Sequence, residues 1–160
     1  CHSSAAKSRN AGIPSANVCM NCHKYIQEGP VYGKEEISKI YAALDYDPNT
    51  GNYGPNQKPI QWVQVHNLPD LAYFNHSQHV TVGKIACQTC HGPVEEMDVL
   101  YQFSSLTMGW CIDCHRNTEV KMEGNAYYAD YETWLKEKHG PDVKLTVDKI
   151  GGLECSRCHY

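Results

Sequence analysis

The chain has 160 residues and a formal net charge of −4, and 29 residues are Leu, Ile, Val or Phe, a share below the roughly 20 % expected of a self-sufficient core. Disorder is disfavoured because the net charge is small and 16 residues are aromatic. The lack of a Lys/Arg cluster argues against nucleic acid as a partner, and the apolar runs are far shorter than the roughly 20 residues that span a bilayer.

The first predicted element is a helix over 33–45. Ile37, Ile40 and Leu44 recur there at the three- and four-residue spacing of one helical face. The next stretch, 46–60, contains three prolines and two glycines. We therefore predict a long loop after this helix.

A second helix is predicted over 127–139, where Tyr131, Leu135 and His139 recur every four residues and Gly140-Pro141 supplies the stop. No other stretch alternates apolar and polar residues clearly enough to predict a strand. The predicted fold class is mostly irregular coil with short α-helices, wrapped around something that is not protein.

Nine cysteines and nine histidines are more than a chain of this length needs, and most of them lie in one repeated motif, Cys-x-x-Cys-His. The motif occurs complete at Cys19–His23, Cys87–His91, Cys111–His115 and Cys155–His159. The intervals between the copies are unequal, which excludes a solenoid of fixed period. Cys1-His2 has the form of a fifth copy without its first three residues, so we expect the chain to be a piece of a longer one.

This spacing is what covalent c-type haem attachment requires. Two thiols one helical turn apart add to the haem vinyl groups, and the following histidine binds the iron from the same turn. Structural zinc also uses Cys-x-x-Cys pairs, but it does not require a histidine after every pair. Disulfides are the other alternative for a cysteine-rich exported chain, and four identical spacings, each followed by histidine, argue against them.

Four complete motifs predict four haems, and Cys1-His2 predicts a fifth. The haem-binding cysteines are Cys1, Cys19, Cys22, Cys87, Cys90, Cys111, Cys114, Cys155 and Cys158. The proximal iron ligands are His2, His23, His91, His115 and His159. Such haems would supply the missing core of a single domain over 1–160, with halves 1–80 and 81–160 as an alternative division. A haem-free form should therefore stay largely unfolded.

Electron-carrier haems need a second axial ligand, and four histidines are left to provide it: His66, His76, His79 and His139. Five haems then lack one distal ligand. A methionine thioether can take that position and raises the reduction potential. Met108 is the first choice for this ligand and Met97 the second.

Each distal assignment has a simpler alternative. His66 could be a structural loop residue, His139 a cation at a helix C-terminus, and either methionine a buried gap-filler. His76 and His79 could be surface residues. Their spacing of three residues nevertheless puts both imidazoles on one helical face, where they cannot bind opposite sides of one iron. We therefore expect these two residues to serve two neighbouring haems.

Four runs of sequence carry a resemblance to a known family. They are WVQVHNLP over 62–69, FNHSQH over 74–79, CQTCHGPVEEM over 87–97 and LTMGWCIDCHR over 106–116. The chain resembles multihaem cytochromes of the class III type, in particular the pentahaem cytochrome subunit of bacterial alternative complex III. The cytochrome subunit of menaquinone reductase complexes is similar.

The resemblance implies an electron-transfer subunit, not an enzyme by itself, on the periplasmic side of the bacterial inner membrane. Its implied partners are an iron–sulfur subunit and integral-membrane quinol-binding subunits of the same complex. The implied acceptor is a monohaem cytochrome c or a terminal oxidase. Members of this family carry a membrane anchor ahead of the first haem, a segment that residues 1–160 do not include.

One alternative function stays open at this point. A multihaem reductase acting on nitrite, hydroxylamine or peroxide would need one haem with an open coordination position beside acid–base residues. That position would exist if neither Met108 nor Met97 binds iron.

Overall fold

The computed structural model describes residues 2–126 and 128–159, in which short helices are joined by long irregular segments. The α-helices are α1 (Ala16–His23), α2 (Glu35–Leu44), α3 (Cys87–His91), α4 (Met108–Asn117), α5 (Ala129–His139) and α6 (Cys155–Cys158). Two strands, β1 (Tyr46–Asp47) and β2 (Asn52–Tyr53), form an antiparallel pair. This confirms the predicted fold class of coil with short helices.

Several tighter or wider helical turns supplement these elements. Three are 3-10 turns, at Ser3–Ala6, Val94–Glu96 and Val147–Ile150, and one is a π-helical turn at Gln78–Val82. Among the described residues, no helix has both the length and the apolar character needed to cross a membrane.

The chain divides into two compact units. The first unit consists of Cys1–His2 and Gly12–Gln64, and the second of Ser3–Ala11 and Val65–Tyr160. The Ser3–Ala11 segment packs with residues more than 60 positions later, because Arg9 and Ala6 accept hydrogen bonds from His76 and Thr81. A haem core shared along the whole of 1–160 stays a prediction.

In the first unit, α2 confirms the helix predicted over 33–45. Ile37 and Leu44 are buried, as the spacing requires, and Asp45 ends the helix in the left-handed conformation at φ 50°. The buried centre of the unit is small. It consists of Met20, Leu44 and Tyr46, with Ala16, Ile40 and Tyr41 packed around it.

The predicted loop over 46–60 contains the β1–β2 hairpin, which the sequence analysis did not predict. The Asp47 carboxylate accepts hydrogen bonds from the Asn49 backbone N–H at 2.9 Å and the Thr50 hydroxyl at 3.0 Å, and these bonds lower the pKa of Asp47. Each strand has only two residues. A strand that short cannot show a readable alternation, which is why the sequence pattern indicated a loop.

The second unit has its own buried cluster, formed by Val120, Leu135 and Leu145. Helix α5 confirms the helix predicted over 127–139, except that Tyr127 lies outside the described residues. Only Leu135 of the predicted apolar face is buried in this helix. Tyr131 and His139 are exposed.

Candidate haem sites

Each complete Cys-x-x-Cys-His motif begins in a short helix. The motifs lie in α1, α3, α4 and α6, and only His159 falls just past the end of its helix. Residues three apart on a helix lie on one face, so the two thiols of each motif point to the same side. None of the eight described cysteines forms a disulfide. The ninth, Cys1, lies outside the described residues, so His2 alone represents the fifth motif.

Most of the histidines share one hydrogen-bonding pattern at the ring nitrogen Nδ1. The pairs of Nδ1 with a backbone carbonyl oxygen are His2–Gly12 (2.6 Å), His23–Ile26 (3.0 Å), His76–Arg9 (2.9 Å), His79–Asn75 (2.8 Å), His115–Gly152 (2.7 Å) and His159–Leu71 (3.3 Å). A carbonyl oxygen only accepts, so Nδ1 must carry the proton in each pair. With the proton on Nδ1, the neutral form of such a ring keeps its lone pair on Nε2, which is the state a metal ligand needs.

Two pairs of imidazoles have the spacing of axial haem ligands. The ring centroids of His76 and His91 are 6.5 Å apart with an interplanar angle of 7°, and those of His79 and His115 are 6.1 Å apart at 26°. Two imidazoles on opposite sides of one iron have centroids about 6 Å apart, because each metal–nitrogen bond is about 2 Å long and the centroid lies about 1 Å beyond the nitrogen. Both observed distances fit this arrangement.

His79 is held firmly in its position. Its ring stacks on Phe74 with centroids 4.4 Å apart, and burial lowers its pKa, which favours the neutral imidazole. The Phe74 ring also contacts His76 edge-on at 4.8 Å. One phenyl ring therefore packs against both imidazoles.

His66 contacts His91, one member of the first of these pairs. Its Nε2 is 3.0 Å from Nδ1 of His91, and the two rings meet edge to face. Burial lowers the pKa of His66, so its neutral ring can accept a hydrogen bond from His91. This hydrogen bond uses the only lone pair of the neutral His66 ring, so the predicted role of His66 as a distal ligand stays a prediction that requires the ring to release His91.

The remaining predicted distal ligands lie in more open positions. His139 is exposed at the end of α5 and makes an edge-to-face contact with Trp134. Met108, the first residue of α4, is 66 % exposed. Met97 is half-buried beside the Val94–Glu96 turn. Met20, by contrast, is only 1 % exposed in the core of the first unit.

The last three motifs lie close together in the second unit. The Tyr73 backbone N–H donates to the Cys158 carbonyl at 2.6 Å, so the segment that carries His76 and His79 also contacts the fourth motif. Burial raises the pKa of Cys111, and nearby Cys158 adds to that rise. Burial likewise raises the pKa of Cys90, with a contribution from Cys114. The thiols of the three motifs thus influence one another electrostatically.

The apolar residues also fit the presence of large prosthetic groups. Seven hydrophobic side chains are buried among the described residues, whereas nineteen large ones are exposed. Several exposed residues adjoin the motifs, namely Val18, Tyr25 and Ile26 at the first, Leu71 and Tyr73 at the fourth and Met108 at the third. Covalently bound haems would cover such surface and complete a core that the protein does not form by itself.

Structural zinc and haem iron require different numbers of protein ligands. No group of three or more His, Cys, Asp or Glu side chains within residues 2–126 and 128–159 is arranged to hold a metal ion. A structural zinc takes four such ligands. A haem iron takes two from the protein, and each imidazole pair supplies two.

Sequence reasoning missed the groups that orient the histidines. The partners of Nδ1 include the backbone carbonyls of Gly12, Arg9 and Gly152. A backbone carbonyl belongs to every residue, so no sequence pattern could have revealed them. The contact between His66 and His91 likewise depends on folding across 25 positions.

Comparison with known proteins gives one informative match. No family model matches the chain. The chain is 24 % identical, over 159 residues or 99 % of its length, to the multihaem cytochrome c subunit of menaquinone reductase from Nitratidesulfovibrio vulgaris (strain Hildenborough). It spans 58 % of the length of that relative. This distant similarity supports the prediction of a multihaem cytochrome.

Proposed function

We propose that this chain is an electron-transfer subunit with c-type haems on its four complete motifs and on a fifth motif that ends at His2. The observation that carries the proposal is the pair of imidazole spacings, 6.5 Å for His76–His91 and 6.1 Å for His79–His115. When bound, haem supplies reversible one-electron chemistry. The residues of the chain hold, orient and shield it.

In this proposal His91 and His115 are proximal ligands, and His76 and His79 are their distal partners. The proximal ligands of the other three irons are His2, His23 and His159. Their distal ligands then come from His66, His139 and Met108, with Met97 as the second choice for the thioether. Every histidine in the chain has a role in this assignment, and one haem has mixed His/Met ligation.

The spacing of the distal ligands supports electron transfer rather than substrate turnover. Two protein ligands on an iron leave no coordination position for a substrate. His76 and His79 are also separated by only one helical turn, so the two haem sites that they complete are neighbours. Close neighbours favour the passage of electrons along the protein. By itself the chain therefore carries electrons and is not an enzyme.

The biological setting is a respiratory complex that reacts with quinones. The relative from Nitratidesulfovibrio vulgaris belongs to a menaquinone reductase, and the sequence motifs favour alternative complex III. The proposed partners are an iron–sulfur subunit and integral-membrane quinol-binding subunits, with a monohaem cytochrome c or terminal oxidase as acceptor. The proposed location is the periplasmic side of the bacterial inner membrane, with membrane association through the complex.

The test combines a haem count with a spin-state measurement. Mass spectrometry should find four covalent haems on residues 3–160 and a fifth when the first motif is complete. Electron paramagnetic resonance of the oxidised protein should show almost wholly low-spin iron. Zinc without haem would contradict the haem assignment. A strong high-spin signal together with turnover of nitrite, hydroxylamine or peroxide would favour a multihaem reductase instead.

A further inference from the structure

The two ends of one surface loop, residues 92–103, contact each other beside His91, a predicted iron ligand. It starts at Gly92, directly after His91, and Phe103 returns to the same place. A Cβ atom on Gly92 would lie 2.5 Å from Cγ of the Phe103 ring. Gln102 further anchors the end of the loop, because its side-chain carbonyl accepts a hydrogen bond from the Asn67 backbone N–H at 3.1 Å. Compact loops with adjoining ends are often functional.

The 92–103 loop exposes an unusual amount of apolar surface. Val99 is 66 % exposed, Tyr101 55 % and Phe103 52 %, and Val94 and Leu100 are exposed as well. Single exposed apolar residues are common on protein surfaces. Five exposed apolar residues within twelve consecutive positions are uncommon, and apolar surface concentrated in this way marks an interaction site.

The charges of the loop limit which kind of partner surface can bind to it. Glu95, Glu96 and Asp98 are exposed on it, and the sequence contains no Lys or Arg between Lys84 and Arg116. An exposed surface that is both apolar and acidic is complementary to a surface that is both apolar and basic. An acidic partner would be repelled.

We propose that the 92–103 loop is the docking surface for a basic electron-transfer protein. The proposal rests on the proposed function, because docking here serves electron transfer only if His91 holds a haem. The 92–103 loop begins directly after His91, so a partner bound to the loop would lie beside the haem site of His91. The contact is expected to be transient, as is usual for redox encounters.

The test measures electron transfer from the reduced, haem-loaded full chain to an oxidised monohaem cytochrome c with a lysine-rich surface around its haem edge. Stopped-flow absorbance gives the second-order rate constant at several ionic strengths. The variant Glu95→Lys/Glu96→Lys should lower that rate constant on the order of tenfold at low salt and weaken its dependence on salt. Variant Glu35→Lys/Glu36→Lys is the matched control, since it changes the net charge equally on α2 of the first unit.

Equal effects of the two double variants would overturn the docking proposal, because net charge alone would then explain them. A second variant, Val99→Ser/Tyr101→Ser, tests the apolar part. It should slow the reaction with the basic cytochrome while leaving the haem spectrum and midpoint potentials unchanged. A shifted potential would show that these side chains cover the haem rather than a partner, and would also overturn the proposal.

The proposed function is tested separately in the same preparation. The haem-loaded chain should titrate reversibly and reduce a small neutral acceptor at the same rate in every variant. A wild-type protein that neither takes up nor releases electrons would contradict the proposed function itself. Reversible titration combined with no loop-specific effect would contradict only the docking surface.

Discussion

Replacing His76 or His79 should change the spin state of one haem and no other. In the proposed assignment His79 pairs with His115 and His76 with His91, so each imidazole would serve a single iron. With five haems loaded, His79→Ala should convert about one fifth of the iron to high spin. The double variant with His76→Ala should convert about two fifths, because the two effects act on separate sites and add.

The fold should survive the change to alanine at His79. The substitution removes a hydrogen bond to the Asn75 carbonyl, which contributes about 1 kcal/mol, and the stack on Phe74, which contributes about 0.5–1.5 kcal/mol. The resulting loss of about 2 kcal/mol is well below a typical folding stability of about 5–15 kcal/mol. Changes in the spectrum would therefore report on ligation rather than unfolding.

The assay is quantitative electron paramagnetic resonance of the oxidised protein, with total haem determined in parallel. Gln78→Ala is the matched control, since its side chain is exposed on the same turn. The control should stay fully low-spin. Added imidazole should restore the low-spin signal of His79→Ala by entering the space left by the ring. The two-haem arrangement would be wrong if both single variants perturbed the same haem, or if their high-spin fractions did not add.

Three further predictions concern other parts of the chain. Met108→His should keep its haem low-spin and lower the highest midpoint potential, while Met108→Ala should open the site; an unchanged titration in both variants would move the assignment to Met97. Leu135 is only 4 % exposed, so Leu135→Ala should lower the free energy of unfolding of the haem-loaded protein by about 2–5 kcal/mol, measured by denaturant titration. An unchanged free energy of unfolding would show that the Val120–Leu135–Leu145 cluster does not stabilise the second unit. The Asp47 carboxylate has a lowered pKa in the fold, so it stabilises the hairpin above its usual pKa of 3.8 and ceases to do so as the pH falls through the lowered value. Asp47→Asn should therefore reduce the decrease in thermal midpoint below about pH 4, and identical acid profiles would contradict this role.

The sequence by itself indicated c-type haem attachment and two of the helices. A Cys-x-x-Cys-His motif needs only five consecutive residues in one turn, so its meaning does not depend on the rest of the fold. Helix α2 was likewise predictable, because Ile37 and Leu44 follow the helical period and are the residues that become buried. The lack of enough apolar residues for a core was also visible in the composition.

Only the tertiary structure decided which histidines meet. His76 and His91 are 15 positions apart and His79 and His115 are 36 apart, and no local pattern relates such residues. Their ring tautomers depend on backbone carbonyls as distant as Arg9, which lies 67 positions from His76. The hairpin at Tyr46–Tyr53 escaped prediction because two-residue strands carry no period. Ligand pairing is a long-range property, since the chain must fold before two separated imidazoles can lie about 6 Å apart.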